Sequence, residues 1–427
     1  MIIKKYEGIN FAKESGDTNK IHLDYLTGYN SQFGDNIVHG SYLLIKFLSS
    51  NKIVDFKSIK IKFLNGFFYN KPIKISKIKS SKFKETFKLT QNNEEKGQIE
   101  VLKKHIKEDE IKFKNKTFYK KFNINKKIKK FFKSKKIDND LNLALNYLTK
   151  YTGMIYPGKN SLISEINIKK NMLSKYNDLE IHSTKPSLRH PIIYNKLYYE
   201  SLIISFLTLV RPKLVIKNKK KNSYLSKLSK KINKNILIIG ASNGIGNELF
   251  NLFEDIKKKK IISTYNHNKI SSNKKNIIIK RIDIEKDLNK VFKIIKTYKP
   301  LIVYYFATPK ININNKSSNY YNTYKKFYIS IPIKLIKHCI KNKSYFFYPS
   351  TTYIHNIQKN FYSKTKKIAE GKIKKIKNNN LFVNILRIPE VNTKQNLSVF
   401  NKGLPNFTDL LMKYKDFRNK IFFKNLI

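Results

Sequence analysis

The stretch NILIIGASNGIGNELFNLF at 235–253 constrains the fold more than any other part of the chain. Four consecutive aliphatic residues, Ile236–Ile239, read as a strand buried on both faces. Gly240, Gly244 and Gly246 then make a turn, and an apolar helix is expected to begin near Ile245. Glycines at such a turn let backbone amides approach a pyrophosphate closely, and the helix N-terminus adds its positive dipole. The strand before and the helix after give the glycine triplet its meaning. Strand–loop–helix alternation continues beyond it. This predicts an α/β, Rossmann-type, doubly wound parallel sheet over 235–427.

The residues before 217 follow another pattern. IVHGSYLLIKFLSSN reads as an amphipathic helix, and SIKIKFLNGFFY, PIKISKIK and FKETFKLTQ as strands, within a first segment at 1–118. Residues 141–216 repeat the outline: the helix LNLALNYLTKYTGMI, a Pro-Gly turn, then the strands SLISEINIKK and YYESLIISFLTLV. A helix followed by antiparallel strands, twice over, predicts a duplicated α+β region. Lys-rich stretches at 119–140 and 217–234 read as solvated basic linkers.

The formal net charge of +59 calls for a separate explanation. Lys, Asn, Ile, Tyr and Phe are inflated together while Gly (14), Pro (11) and Trp (0) are scarce. These inflated residues share AT-rich codons, so a drift in base composition accounts for them jointly. A nucleic-acid binder concentrates Arg and Lys on one face; here Lys is spread along the whole chain, and no specific nucleic-acid partner is expected. With 27 Tyr and 29 Phe the chain has ample material for packed cores. A single cysteine, Cys339, excludes an internal disulfide framework and suits a reducing compartment. The start lacks a signal-peptide core, and the longest apolar run, SLIISFLTLV, is too short to span a bilayer. A cytoplasmic protein is expected.

Against this background, FAKESGDTNKIHLDYLTGYNSQFGDNIVHG at 11–40 stands out. Taken singly, Ser-Gly-Asp is an ordinary turn, Asp17 a cap and His22 a surface histidine. Together they resemble the MaoC-like, (R)-specific enoyl-thioester hydratase/dehydratase family, whose fold is the hot-dog. The resemblance implies a double hot-dog over 1–216, with the catalytic half first and a degenerate half second. It implies Asp17 and His22 as the catalytic pair, Asn19 as a substrate-positioning residue, and the Gly40 amide as the donor to the thioester oxygen. That chemistry needs one group to activate water, another to protonate the α-carbon, and a donor for the enolate oxygen. His39 is read as structural and Asp24 as a cap or supporting group. The second half has no Asp-x-x-x-x-His, and His182 and His190 are weak candidates only.

The glycine spacing at 240–246 resembles the short-chain dehydrogenase/reductase family, and later stretches add to it. RIDIEKD places Asp283 where that family contacts the adenine. YPSTTYIHNIQKNFYSKTK carries Ser350 and Thr351, then Tyr362 and Lys366 in Tyr-x-x-x-Lys spacing. The resemblance implies Tyr362 as proton donor or acceptor at the substrate oxygen. It implies Lys366 as the residue that favours the phenolate and holds the ribose, and Ser350 or Thr351 as the donor to the carbonyl. The cofactor contacts it implies are Gly240, Ser242, Asn243, Gly244, Ile245, Gly246, Asn266, Asp283, Ala307, Tyr362 and Lys366. Departures are the YYFATPK segment, which keeps only Ala307 of Asn-Asn-Ala-Gly, Pro389-Glu390 in place of Pro-Gly, and the absence of the helix Asn. STYNHNK lacks the acidic residue that binds an NAD ribose, which favours NADP(H), with Asn266 or Lys269 near the 2′-phosphate.

Together these imply a bifunctional enzyme on acyl-CoA or acyl-carrier-protein thioesters, without a metal and with a homodimer possible. Two alternatives stay open. The reductase domain could act on a sugar or polyketide intermediate beside an acyl-binding hot-dog, or both regions could bind without turnover. Residues after 395 are expected to form the substrate lid.

Overall fold

The computed structural model describes residues 1–103, 118–122, 137–159, 161–171, 175–186, 191–210, 223–309, 318–355, 360–377, 382–393 and 404–423. They divide into two compact units, one within Met1–Lys213 and the other from Leu214 onward.

Unit 1 is built on one antiparallel sheet. Its strands are β1 (Ser58–Phe63), β2 (Lys74–Ser80), β3 (Lys84–Gln91), β4 (Glu94–Leu102), β5 (Phe118–Phe122), β6 (Ser161–Lys170), β7 (Tyr176–Ser183), β8 (Ile192–Glu200) and β9 (Leu202–Val210). They lie in the order β2-β3-β4-β1-β6-β9-β8-β7-β5. Read outward from the centre, the two halves run β1-β4-β3-β2 and β6-β9-β8-β7, the same connectivity twice. The halves join where β1 pairs with β6, Ser58 opposite Lys169 and Lys62 opposite Glu165. Alternation sets the faces: Ile59, Ile61, Ile166 and Ile168 are buried, while Lys60 projects outward and pairs with Glu165 at 2.9 Å.

Before the sheet run α1 (Lys5–Ser15), α2 (Lys20–Leu23), α3 (Tyr25–Asn30) and α4 (Gly40–Ser50); α5 (Asn139–Lys150) opens the second half. Leu44, Phe47 and Leu48 of α4 and Leu141, Leu145 and Leu148 of α5 share one core with the inner face of the sheet. Asp138 caps α5, accepting from the amides of Asp140 and Leu141. The helix continues as a single π turn, Tyr151–Ile155.

Unit 2 holds six parallel strands: β10 (Asn235–Ile239), β11 (Ile261–Tyr265), β12 (Ile277–Arg281), β13 (Leu301–Tyr305), β14 (Tyr345–Thr351) and β15 (Val383–Ile388). Their order is β12-β11-β10-β13-β14-β15. Both faces are covered. Leu237, Ile239, Val303 and Tyr305 enter one core, and Ile236, Ile238, Ile302 and Tyr304 enter another. The helices are α6 (Ser223–Lys230), α7 (Gly244–Phe253), α8 (Leu288–Tyr298), α9 (Ser318–Lys325), α10 (Ile331–Lys341), α11 (Phe361–Lys377), α12 (Phe407–Lys413) and α13 (Lys415–Ile421). A strand order of 3-2-1-4-5-6 with helices on both faces defines a doubly wound sheet whose switch point lies between β10 and β13. Unit 2 is a Rossmann-type domain.

Three readings of the sequence need correction. The stretch 119–140 is not all linker: Phe118–Phe122 is an edge strand in register with β7, Phe118 opposite Ser183. Within 217–234, α6 buries Leu225 in a core of unit 2. Residues 407–423 are not a lid, since Phe407, Leu411, Ile421 and Phe422 are core residues and the Tyr304 hydroxyl donates to the Ile421 carbonyl at 2.7 Å.

Candidate functional site

In unit 1 the turn between α1 and α2 carries Asp17. Gly16 ends α1 at φ +75°, a left-handed C-cap that favours glycine, and the chain then turns Asp17 inward to 2% exposure. The Asp17 carboxylate accepts from two neutral donors, the Asn19 amide at 3.1 Å on Oδ1 and the Thr149 hydroxyl at 2.9 Å on Oδ2. The Asn19 side chain accepts from the Ile21 amide and caps α2. Asp24 caps α3 through the Thr27 amide at 2.7 Å.

His22 is buried, and its Nδ1 lies 2.8 Å from the Ile37 carbonyl. A carbonyl only accepts, so Nδ1 carries a proton and Nε2 is the nitrogen left to exchange one. The His39 ring stacks on it at 3.8 Å and 25°. His39 Nε2 makes a long contact, 3.4 Å, to the Asp17 carbonyl and lies 3.9 Å from Asp17 Oδ2, while Tyr69 Oη sits 3.3 Å from its Nδ1. Burial, and then His22 beside it, hold His39 well below the usual histidine range, so the ring is neutral. His39, read as structural from the sequence, therefore lies inside the cluster. Gly40 follows it as the first residue of α4. A first-turn amide has no acceptor within its own helix, and a β-carbon at Gly40 would press on the Phe63 ring at 3.0 Å.

Asp17, His22 and His39 place one potential ligand atom each within 4.8 Å of one another. Two stacked imidazoles direct their lone pairs in nearly parallel planes, which does not converge on a single ion. The cluster is better matched to proton transfer.

In unit 2 the glycine loop lies at the C-terminal end of β10. Gly240 adopts φ +86°, and a β-carbon there would sit 2.7 Å from the Ala307 amide nitrogen. At Gly246 it would sit 2.2 Å from the Gly240 carbonyl oxygen. Ser242 and Asn243 lead into α7, which begins at Gly244 and Ile245. The Gly240 amide donates to Thr264 Oγ1 at 3.2 Å. Asn266 is half-buried just past β11; Asp283, past β12, accepts from the Glu285 amide at 3.0 Å. A bare backbone turn feeding a helix N-terminus at the switch point suits the pyrophosphate of a dinucleotide.

Beside it, β14 presents Ser350 and Thr351 to opposite sides. The Thr351 hydroxyl lies beside Tyr362 on α11, whereas the buried Ser350 hydroxyl has no hydrogen-bond partner among the described residues; Arg387 of β15 grips Glu370 through Nη2 at 2.8 Å. Thr351 is thus the hydroxyl brought to Tyr362. Burial pushes Tyr362 up to about 12, opposed by Thr351. Lys366 is buried, its Nζ donating to the Pro349 carbonyl at 2.5 Å and lying 4.3 Å from the Tyr328 ring and 5.9 Å from that of Tyr362. Burial lowers Lys366 to about 7, partly countered by Glu370.

Tyr328 escaped sequence reasoning. It lies in a π turn, Lys326–Ser330, and its hydroxyl meets Thr308 of the FATP segment at 2.5 Å. Tyr305 and Tyr348 donate to the Phe327 and Tyr328 carbonyls at 2.8 and 2.9 Å. Glu390 accepts from the Tyr353 hydroxyl at 2.7 Å. His190 lies outside the described residues; His182 is on β7, near Glu180 at 3.6 Å.

No protein-family model matches the chain, and no curated protein matches its sequence. Similar solved structures include the PbgP3 protein of Burkholderia pseudomallei, at 12% identity and TM-score 0.32, over 36% of this chain and 52% of that one. The chain thus spans about half the length of that protein. A short-chain dehydrogenase of Leptospira borgpetersenii with bound NAD+ is similar at 14% identity and TM-score 0.37, over 50% of this chain and 90% of that one. Aldohexose dehydrogenase of Thermoplasma acidophilum gives 18% identity and TM-score 0.33, over 39% and 70%. The fold assignment of unit 2 rests on its own strand order. Among the described residues no helix is long and apolar enough to cross a membrane.

Proposed function

We propose that the protein is a bifunctional acyl-thioester enzyme: unit 1 a double hot-dog hydratase/dehydratase of the MaoC-like kind, unit 2 a short-chain reductase using NADP(H). The observation that carries the unit 1 reading is the burial of Asp17, His22 and His39 together, directly before the first turn of α4. In hydration, water adds its oxygen to C3 of the enoyl thioester, gives one proton to a protein base, and C2 takes a proton. His22 Nε2 and the Asp17 carboxylate share these transfers, and the Gly40 amide donates to the enolate oxygen. His39, neutral and stacked, keeps the His22 ring in place.

For unit 2, the glycine loop from Gly240 to Gly246 would hold the pyrophosphate of the dinucleotide, which when bound supplies or accepts hydride. Tyr362 moves the proton at the substrate oxygen, and Thr351 orients that oxygen. NADP(H) is favoured by the absence of a carboxylate after β11 and by exposed Lys269 and Arg281, the latter in register with Tyr265. A second reading for unit 2, a polar non-thioester substrate, is favoured by the Glu390–Tyr353 pair at the strand ends.

The test is hydration of crotonyl-CoA, longer trans-2-enoyl-CoAs and carrier-linked enoyl thioesters by the full chain, followed by loss of enoyl absorbance. Asp17→Asn and His22→Ala each abolish it if the reading holds. Folded wild-type protein that hydrates none of these substrates overturns it.

A further inference from the structure

The second half of unit 1, whose sequence has no Asp-x-x-x-x-His, reaches the Asp17 carboxylate. Thr149, in the last turn of α5, is 2% exposed and donates to Asp17 Oδ2 at 2.9 Å, across 132 residues of chain. One turn later a β-carbon on Gly153 would lie 2.3 Å from Asp17 Oδ1 and 2.7 Å from its Cγ. The carboxylate is therefore gripped by a hydroxyl on one side and seated against a bare Cα on the other.

The segment that does this is locally unusual. Residues Tyr151–Ile155 form the π turn, closed by the Tyr156 amide on the Tyr151 carbonyl at 2.8 Å. Such turns are frequent at functional sites. It is fixed from beneath, because the fully buried Tyr151 hydroxyl meets Ser183 Oγ at 2.6 Å, which in turn donates to Asn195 Oδ1 at 2.6 Å. Ser161 Oγ donates to the Thr152 carbonyl at 2.7 Å.

We infer that Thr149 is a positioning residue for Asp17, and that the degenerate half is kept as part of the catalytic site because its π turn sets the geometry of the other half's carboxylate. This rests on the hydratase reading of unit 1. The hydroxyl touches no substrate; it acts only by fixing which oxygen of Asp17 faces the reaction. A carboxylate displaced by about 1 Å lowers turnover on the order of 100-fold without changing how the thioester is bound.

The experiment is steady-state hydration of crotonyl-CoA by the full chain carrying Thr149→Val, Thr149→Ser, Asp17→Asn, or Thr149→Val with Asp17→Asn. Melting curves confirm that each variant is folded. The expected result is a kcat lowered by roughly 10- to 100-fold in Thr149→Val with KM unchanged, recovery in Thr149→Ser, and a double variant no slower than Asp17→Asn alone. A purely packing role for the side chain would not be rescued by serine, which lacks the methyl group. Thr149→Val turning over at the wild-type rate, or losses that multiply in the double variant, overturns the inference while the hydratase reading stands. Wild-type protein that is folded and hydrates no enoyl thioester overturns both.

Discussion

Replacing Gly246 by alanine tests the nucleotide loop at its tightest point. The added β-carbon falls 2.2 Å from the Gly240 carbonyl oxygen, 3.1 Å from its carbon and 3.2 Å from Phe306 Cβ. An unstrained C···O contact is about 3.3 Å or more, so the loop and the start of α7 must part by roughly 1 Å. The loop cannot give way on its other side, because Gly240 already abuts the Ala307 amide. Overpacking of this kind costs about 1–3 kcal/mol, a fall of roughly 2–12 °C in the melting temperature of a domain this size. Displaced amides lose at least one charge-assisted bond to the pyrophosphate, worth about 1.5–3 kcal/mol, so NADPH binds roughly 10- to 150-fold more weakly. Fluorescence titration of NADPH with the full chain reads the affinity and a melting curve reads the stability. Gly371 is the control: it lies within α11 with nothing within 4 Å of an added β-carbon, so Gly371→Ala stabilises by about 0.5–1 kcal/mol and leaves NADPH affinity unchanged. A Gly246→Ala protein that melts and binds like wild type refutes the reasoning.

Two further outcomes follow from buried groups. Lys366 is lowered to about 7 in the folded protein from 10.5, so between these values the unfolded chain holds more protons and stability rises with pH. The slope reaches about 1.4 kcal/mol per pH unit within that window and vanishes below it; Lys366→Met removes this component, and equal slopes in denaturation at pH 7–9 would contradict the assignment. Asn195→Ala strips partners from Ser183 and Thr208, both buried, and costs about 1–3 kcal/mol. An unchanged melting curve for unit 1 would show that the network under the π turn contributes nothing.

Local pattern carried much of the architecture. The Ile236–Ile239 run, the glycine turn and the apolar helix after it are readable because each depends on neighbours within a few residues, and α4 is readable from its period. β5 was hidden because its FYKKF lies beside Lys-rich segments and is a strand only through pairing with β7, about 60 residues away. The π turns were equally hidden: Ser183 holds the Tyr151 hydroxyl, and the Tyr305 and Tyr348 hydroxyls donate to the Phe327 and Tyr328 carbonyls, partners that no local window contains. Asp17 and His22 were legible as a spacing. His39 was not assigned to them, because only the fold stacks its ring on His22. Thr149 and Gly153 carry no signal without the contact, and Ser350 and Thr351 were separable only once β14 fixed which of them faces Tyr362.

If two chemically adjacent activities share this chain, one coupled assay reads both. Crotonyl-CoA and NADP+, with NAD+ in parallel, are given to the full chain and nucleotide reduction is followed. Hydration in unit 1 supplies 3-hydroxybutyryl-CoA, and its oxidation in unit 2 reduces the nucleotide, so the account predicts reduction that Asp17→Asn and Tyr362→Phe each abolish. Adding both enantiomers of 3-hydroxybutyryl-CoA restores it to Asp17→Asn and not to Tyr362→Phe. No reduction by the wild-type protein from either crotonyl-CoA or 3-hydroxybutyryl-CoA, or reduction that survives Asp17→Asn with crotonyl-CoA alone, would contradict it.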